Sequence, residues 1–176
     1  MSHRFHYSCL LTLCAAISGC VVVPMNRTYY DPNPADGTPI QSASCGWNAT
    51  AKDALKREIA GVGLSVFPTY APGTPFKLFV LLQRSGQSVE VLAETAELKV
   101  GSEPLSHRAT SVKVREAGPY FYKSIEYQFP VVDSAQEIAV LFPTGFLKID
   151  GRTPEILPFR FSRVTRSDVY YGSINC

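Results

Sequence analysis

The stretch FKLFVLL, residues 76–82, decides the fold of this chain. In an extended chain successive side chains point to opposite sides, so Leu78 and Val80 share one face while Phe79 and Leu81 share the other. A strand that is apolar on both faces is typical of the interior of a sheet. The stretch therefore predicts a central β-strand.

Further strands are predicted on both sides of it. Val62, Leu64 and Val66 alternate with small residues before Pro68 ends the run. Downstream, the turn signal at residues 85–86 leads into residues 89–92, a pattern that predicts a hairpin. The remaining predicted strands are residues 96–100, 110–114, 120–129, 138–142, 146–149 and 156–165, with a second hairpin-type turn at Asp150 and Gly151.

Short strands separated by Gly and Pro, without alternating long helices, favour a β-sandwich or barrel over an α/β sheet. Of these two we predict an antiparallel β-sandwich, Ig-like or similar. The chain has 176 residues, of which 45% are hydrophobic and 18% charged. Without residues 1–19 roughly 155 residues remain, which suffice for one hydrophobic core. The fold class predicted is mainly β, in a single domain.

One helix is predicted at the start of this domain, over residues 49–60, with Asn48 as N-cap and Gly61 as the residue after its end. The residues of one apolar stripe lie four apart: Ala51, Leu55 and Ile59. A helix this short needs tertiary packing, so we expect it to lie against the sheet near Trp47.

The N-terminal segment has the pattern of a secretion signal. A short basic start precedes an apolar stretch, residues 9–17, which is too short for a bilayer core that needs ~20 residues. The run Ile17-Ser18-Gly19-Cys20 resembles the lipobox of bacterial lipoproteins, a branched aliphatic residue and two small residues before a cysteine. The resemblance implies cleavage before Cys20, diacylglycerol on its thiol and acylation of the new amino group. Ordinary signal cleavage near Cys20 is the alternative.

The lipobox also implies a location. Several acyl chains hold a protein durably on a membrane, whereas one chain holds it only marginally. Val21 follows the cysteine where retention in the inner membrane would require Asp. The resemblance therefore implies an outer-membrane anchor with the domain facing the periplasm, or the cell surface as the alternative.

The segment between the anchor and the domain is predicted to be a tether. Residues 20–44 contain four prolines and little periodicity, which favours a flexible linker. Tyr29 and Tyr30 are expected either to dock on the domain or to lie at the lipid interface. The domain organisation predicted is therefore 1–19 signal peptide, 20–44 lipidated cysteine and tether, and 45–176 β-sandwich.

Five cysteines are present. In this interpretation two are removed with the leader, and Cys20 is acylated. Cys45 and Cys176 remain, an even pair in a chain exported to an oxidising space. We expect a disulfide between them that ties the two ends of the domain together. Two free thiols are the alternative, and metal binding is disfavoured because no Cys/His ligand spacing is present.

Two groups of residues are candidate interaction surfaces. In residues 120–129, Tyr120 and Tyr122 share the strand face opposite to Ile125, so they are a possible binding surface or part of an ordinary solvated face. Four basic residues follow later in the chain: Arg152, Arg160, Arg163 and Arg166. They are expected on a solvated surface, with an acidic partner or lipid headgroups as the functional alternative.

The sequence predicts no enzyme, cofactor or metal site. His107 is the only histidine after the leader, and its neighbour Ser106 lies in no nucleophile motif. With 16 basic and 15 acidic residues left once Arg4 is removed with the leader, the charge is near balance, unlike that of a nucleic-acid-binding protein.

Two function classes stay open at this level. The first is a non-enzymatic structural or assembly accessory of the cell envelope, which is held at the membrane by its N-terminal lipid and contacts a protein partner. The second is a ligand-binding or inhibitor lipoprotein, such as an immunity protein that neutralises a secreted toxin or enzyme. No residue distinguishes them, and the oligomeric state is not predicted.

Overall fold

A computed structural model describes residues 21–44, 47–84, 86–93, 95–101, 106–108, 110–117 and 122–172. Apart from one 3-10 turn at Pro34–Asp36, the regular elements of these residues are all β-strands. The strands are β1 (Val21–Pro32), β2 (Thr38–Ile40), β3 (Ala43–Ser44), β4 (Trp47–Ala49), β5 (Ala54–Ile59), β6 (Val62–Thr69), β7 (Lys77–Gln83), β8 (Val89–Val91), β9 (Glu97–Val100), β10 (Ser106–Arg108), β11 (Ser111–Ala117), β12 (Tyr122–Gln128), β13 (Glu137–Leu141), β14 (Leu147–Ile149) and β15 (Phe159–Gly172).

Two antiparallel sheets form a β-sandwich, which confirms the predicted fold class. Sheet 1 has the order β10-β9-β13-β15-β4-β3, with β1 on the other edge of β15. Sheet 2 has the order β11-β12-β7-β6-β5-β2. The strand that the apolar run predicts as central, β7, lies between β6 and β12 in sheet 2. A separate pair, β8 and β14, forms a small two-stranded sheet.

The core lies between the two sheets and is rich in aromatic residues. Along β7 the buried residues Leu78, Val80 and Leu82 alternate with more exposed ones, as the pleat of a strand requires. Across the core, Tyr30 of β1 packs edge-on against Phe76, with ring centroids 5.7 Å apart. Strand β1 therefore contributes to the core itself.

The helix predicted over residues 49–60 is wrong, because residues 54–59 form strand β5. Leu55, which is fully buried, pairs with Val66 in sheet 2. Arg57 follows on the same strand face, and its guanidinium stacks over the Phe159 ring at 4.1 Å. Its Nη1 donates to the carbonyl of Leu157 at 2.6 Å. The alkyl stem and planar head of Arg57 thus cover apolar surface, so the strand face is apolar in effect although it carries a charge.

The tether predicted over residues 20–44 is also wrong for its described part, residues 21–44. Strand β1 pairs with β15 over twelve consecutive residues, from Val21 opposite Gly172 to Pro32 opposite Phe161. Tyr30 is 1% exposed. Of the two alternatives for Tyr29 and Tyr30, the structure therefore shows docking on the domain. Among the described residues, the folded domain therefore includes residues 21–44 as well as those after residue 45.

The turn after β1 is fixed by an ion pair. Asp36, in the 3-10 turn, accepts hydrogen bonds from Arg160 Nη2 at 2.6 Å and Arg160 Nε at 2.8 Å. These side-chain bonds, which outweigh the effect of burial, lower the pKa of Asp36. The pair holds the point at which the chain crosses from sheet 1 to sheet 2.

The hairpin predicted around residues 85–86 is wrong as well. Strand β8 pairs with β14, from Val89 opposite Ile149 to Val91 opposite Leu147, and not with β7. Asp150 and Gly151 do form a tight turn with positive φ at both residues. That turn returns the chain only as far as Arg152, which bridges to Ile149, instead of starting a hairpin with β15.

Candidate functional site

A groove of about 590 Å³ lies beside sheet 2, between its outward face and the paired strands β1 and β15. The two strands supply one wall, which includes Arg27, Tyr29 and Tyr170. Strands β6, β7 and β12 supply the floor. Concave sites of this size, with a mostly apolar lining and few polar groups, are typical of binding sites in proteins.

The floor of the groove is aromatic. Phe67 and Phe79 are directly opposite each other in the pairing of β6 with β7. Phe79 is 39% exposed, although it belongs to the most central strand of sheet 2. Leu81 and Ser124 continue the same outward face into the groove. An exposed aromatic pair on a sheet face offers a large apolar contact area without reorganisation of the strands.

The wall of the groove contains a charged cluster centred on Arg27. Arg27 Nη1 donates to Asp53 Oδ2 at 2.8 Å, and Arg27 Nε lies 2.9 Å from Asp168 Oδ2. The guanidinium carbon also lies 4.6 Å from the centre of the Tyr29 ring, a cation–π contact. Only 15% of the Arg27 side chain is exposed. Burial alone would lower the pKa of Arg27, but the hydrogen bond to Asp53 and the negative charges of Asp53 and Asp168 raise it above the usual value.

The two carboxylates are themselves held by the segment that includes β3 and β4. Asp53 accepts hydrogen bonds from the backbone N–H of Ser42 at 2.7 Å and from its hydroxyl at 2.8 Å. Asp168 Oδ1 accepts from the hydroxyl of Thr50 at 2.6 Å and from three backbone N–H groups. Burial would raise the pKa of Asp168, but these hydrogen bonds outweigh it and lower the pKa. The lowered pKa keeps Asp168 ionised, and the two carboxylates together hold Arg27 in place.

The cluster has a structural role in the wall. Asp53 accepts hydrogen bonds from Ser42 and from Arg27, and Asp168 Oδ1 accepts from Thr50 and from the backbone. Within the described residues, Arg27 Nη2 and Asp168 Oδ2 are buried and have no hydrogen-bond partner, although Asp168 Oδ2 lies 2.9 Å from Arg27 Nε. Because these atoms are closed off from solvent, the cluster fixes the shape of the wall, and the contact area for a bound group comes from the aromatic floor.

The predicted site residues fall mainly outside the described part of the chain. Cys20, Cys45, Cys176 and Tyr120 all lie there, so the lipidation, the disulfide and half of the tyrosine surface stay predictions. Tyr122 opens β12 opposite Gln83 of β7, two residues before Ser124 of the groove.

Of the four arginines predicted on a solvated surface, Arg152, Arg160 and Arg166 are exposed, and three of the four also make contacts within the protein. Besides the pair of Arg160 with Asp36, Arg166 Nη2 lies 3.2 Å from Asp31 Oδ2. Arg163 Nη1 donates to the carbonyl oxygen of Asp133. His107 lies in β10, where its backbone pairs with Leu98.

Among the described residues, no group of three or more His, Cys, Asp or Glu side chains is arranged to hold a metal ion. The same part of the chain contains no helix of the length and apolar character needed to span a bilayer. Comparison of the chain with protein-family models, with curated proteins and with solved structures gives no match.

Sequence reasoning missed the groove, although one signal for it was present. Phe79 and Leu81 make the outward face of β7 apolar. In the sequence alone this apolar face indicates only a central strand. A second apolar face on a sheet strand requires a cover, and β1 provides only part of one. Arg27 had no signal at all, because its partners lie 26 and 141 residues further along the chain.

Proposed function

We propose that this chain is an outer-membrane lipoprotein that acts as a non-enzymatic assembly accessory, anchored through Cys20 and facing the periplasm. Its task is to hold a protein partner of the envelope. The observation that carries the proposal is the aromatic groove on the outward face of sheet 2.

The chemistry of the groove favours a protein segment as the occupant. Interfaces between proteins are enriched in aromatic residues and arginine at their centres, and the floor offers Phe67 and Phe79 while the wall offers Arg27. An extended segment that places an apolar side chain over the phenylalanine pair would bury both rings. Arg27, held in place by its ion pairs, gives that segment a fixed wall to pack against.

Two experiments test the two halves of the proposal. For the anchor, a Cys20→Ala variant is expected to move from the membrane fraction to the soluble fraction. For the groove, a photoreactive phenylalanine analogue replaces Phe79 in cells, and the same analogue replaces Leu157, whose side chain is 60% exposed elsewhere, as the matched control. We expect a discrete crosslink to one envelope protein from position 79, none from position 157, and loss of the crosslink on Phe67→Asp.

The functional link requires a phenotype. The Phe67→Asp variant is expected to impair assembly of the crosslinked partner's complex to the same extent as deletion of the gene, at unchanged protein level. Equal crosslinking from positions 79 and 157 would refute the groove as a binding site. A crosslink to a secreted toxin would replace the accessory function by the inhibitor function.

A further inference from the structure

The end of the β1–β15 pair that contains Val22 and Tyr171 is apolar. Val22 is 62% exposed, Val23 40%, Met25 41% and Tyr171 36%. These four residues, here called the apolar tip, belong to a continuous antiparallel ladder. The exposure is therefore that of an ordered end and not of a loose chain terminus.

Both faces of the tip are apolar. Val22 lies opposite Tyr171 in the ladder, while Val23 and Met25 point to the other face by the alternation of strand β1. A partner that covers one face of a strand pair leaves the other in water. At the level of Tyr171 the other edge of β15 pairs with β4, with Asn48 opposite Tyr171. A lipid interface that meets the end of the sheet covers both faces of the β1–β15 pair together.

Charge is also absent from the surface of the tip. In residues 21–26 and 167–172 the single charged residue is Asp168, whose side chain is fully buried against Arg27. The first exposed charge along β15 is Arg166, 59% exposed and paired with Asp31. From the end inward, the ladder has valines and tyrosines at the same level, then Met25, and then Arg166 opposite Arg27. Apolar and amphipathic side chains therefore precede the first exposed charge, as at the boundary between acyl chains and headgroups.

We infer that the apolar tip is seated in the interface of the membrane that carries the lipid anchor. The inference rests on the proposed function, because Val21 directly follows Cys20 and the acyl chains would enter the bilayer at the tip. The unpaired edge of β1 carries backbone N–H and C=O groups that are costly to place in hydrocarbon. Side chains therefore enter the acyl boundary while the backbone stays at headgroup level.

The seat has a consequence for orientation. Because the tip and the sandwich share strands β1 and β15, the domain stands at a fixed angle on the membrane. A flexible tether would have let it turn freely. The groove, which is lined by the same two strands, is then presented at a constant height above the lipid.

The test measures depth at two positions of the full-length protein. A fluorescent amino acid replaces Met25 in one version and Leu157 in the matched control, each reconstituted in vesicles of phosphatidylethanolamine and phosphatidylglycerol with a quencher on the upper acyl chain. We expect quenching at position 25 to be at least threefold that at position 157. We also expect the double substitution Val22→Asn and Val23→Asn to reduce quenching at position 25 to the control value.

Mass spectrometry of Cys20 on the same samples separates the two proposals. A lipidated Cys20 with equal quenching at positions 25 and 157 refutes the seated tip and leaves the anchor intact. An unmodified Cys20 refutes the anchor, and stronger quenching at position 25 in that case supports the tip alone. A stable dimer in detergent that dissociates on Val22→Asn would assign the tip to a second copy of the chain and overturn the inference.

Discussion

Arg27 is the residue that links the groove to the rest of the fold. A buried guanidinium without partners is strongly destabilising, and here Asp53 and Asp168 supply the compensating charges. Loss of Arg27 would leave both carboxylates without a counter-charge, whereas loss of one carboxylate leaves Arg27 paired with the other and removes one ion pair. The cluster is therefore sensitive to single substitutions.

The Asp168→Asn substitution tests this cluster. We expect the free energy of unfolding at pH 7 to fall by about 1–3 kcal/mol, because the ion pair with Arg27 is lost while the amide oxygen can still accept hydrogen bonds. The control is Asp31→Asn, whose pair with Arg166 is exposed and should contribute under about 1 kcal/mol. Urea unfolding of both variants gives the comparison, and equal losses would contradict the assignment.

The same variant has a defined pH dependence. The pKa of Asp168 is lower in the folded chain than its usual value, so its contribution to stability is present above about pH 4 and is lost as the pH falls through the folded-state pKa. The difference between wild type and Asp168→Asn should therefore be constant near neutral pH and narrow below about pH 4. Urea unfolding at a series of pH values measures it.

Tyr30 gives the opposite dependence at alkaline pH. Burial raises the pKa of Tyr30 to about 12, above the value of about 10 in an unfolded chain, so the stability it contributes is complete below about pH 10 and is lost as the pH rises toward 12. Tyr30→Phe removes the hydrogen bond from Tyr30 Oη to the Ala135 carbonyl, 3.2 Å long, at a cost of about 1 kcal/mol near pH 7. We expect this deficit to shrink between pH 10 and 12 in thermal unfolding, whereas a deficit that is constant across this range would contradict the burial of the phenol.

At the scale of elements, two of the three wrong predictions, the helix and the tether, have different physical causes. The helix over residues 49–60 was predicted from apolar residues four apart, but Leu55, Arg57 and Ile59 form one strand face on which an arginine serves as cover for Phe159. Because Arg57 is charged, the alternation of apolar residues that is typical of a strand is not visible in the sequence of β5. Tertiary contacts decided the element against the local pattern, and these contacts are not readable from the sequence.

Strand β1 was missed because of its prolines. The N–H of Asn33 donates to the Arg160 carbonyl at 2.9 Å. In the continuous ladder the backbone N–H and C=O groups of the odd-numbered residues of β1 therefore point toward β15, and those of the even-numbered residues point away from it. Pro24 and Pro32 are both even, so the missing donors cost no ladder hydrogen bond. Edge strands tolerate proline in this orientation.

This alternation predicts a pattern of amide exchange. In hydrogen exchange followed by NMR, the amides of Arg27 and Tyr29 should be protected, while those of Asn26 and Thr28 should exchange faster by orders of magnitude because they face the open edge. A tether would exchange rapidly at all four positions. The core strand β7, with both edges paired, provides an internal reference for full protection.

For the whole molecule, the sandwich and its central strand could be predicted from the sequence because they follow from alternation and from the apolar run at residues 76–82. The strand order could not. Strand β8 pairs with β14 and β1 pairs with β15, and nothing local encodes partners so distant in the sequence. The groove depends on the second of these pairings, so it lay beyond sequence reasoning for the same reason.

The predicted disulfide gains a specific rationale at this scale. Strand β4 pairs with the end of β15, with Asn48 opposite Tyr171, so the described flanks of Cys45 and Cys176 are neighbours. We expect non-reducing peptide mapping to find the two cysteines joined. Reduction should lower the free energy of unfolding by about 4–5 kcal/mol in the chain-entropy model for a loop of over 100 residues.

A double variant, Cys45→Ser with Cys176→Ser, is the control and should be insensitive to reductant. Alkylation of both thiols in the unreduced protein would contradict the disulfide.

The pairing of the first strand with the last also sets the order in which the chain can fold. Sheet 1 lacks its longest strand until the final residues are available, and closing so long a loop is slow because its entropy cost precedes any contact. A ribosome or a translocon that releases the chain from its N-terminus therefore delivers β1 long before its partner exists. During that interval the apolar side chains of β1 have no partner strand to cover them, and a chaperone would have to shield them until β15 emerges.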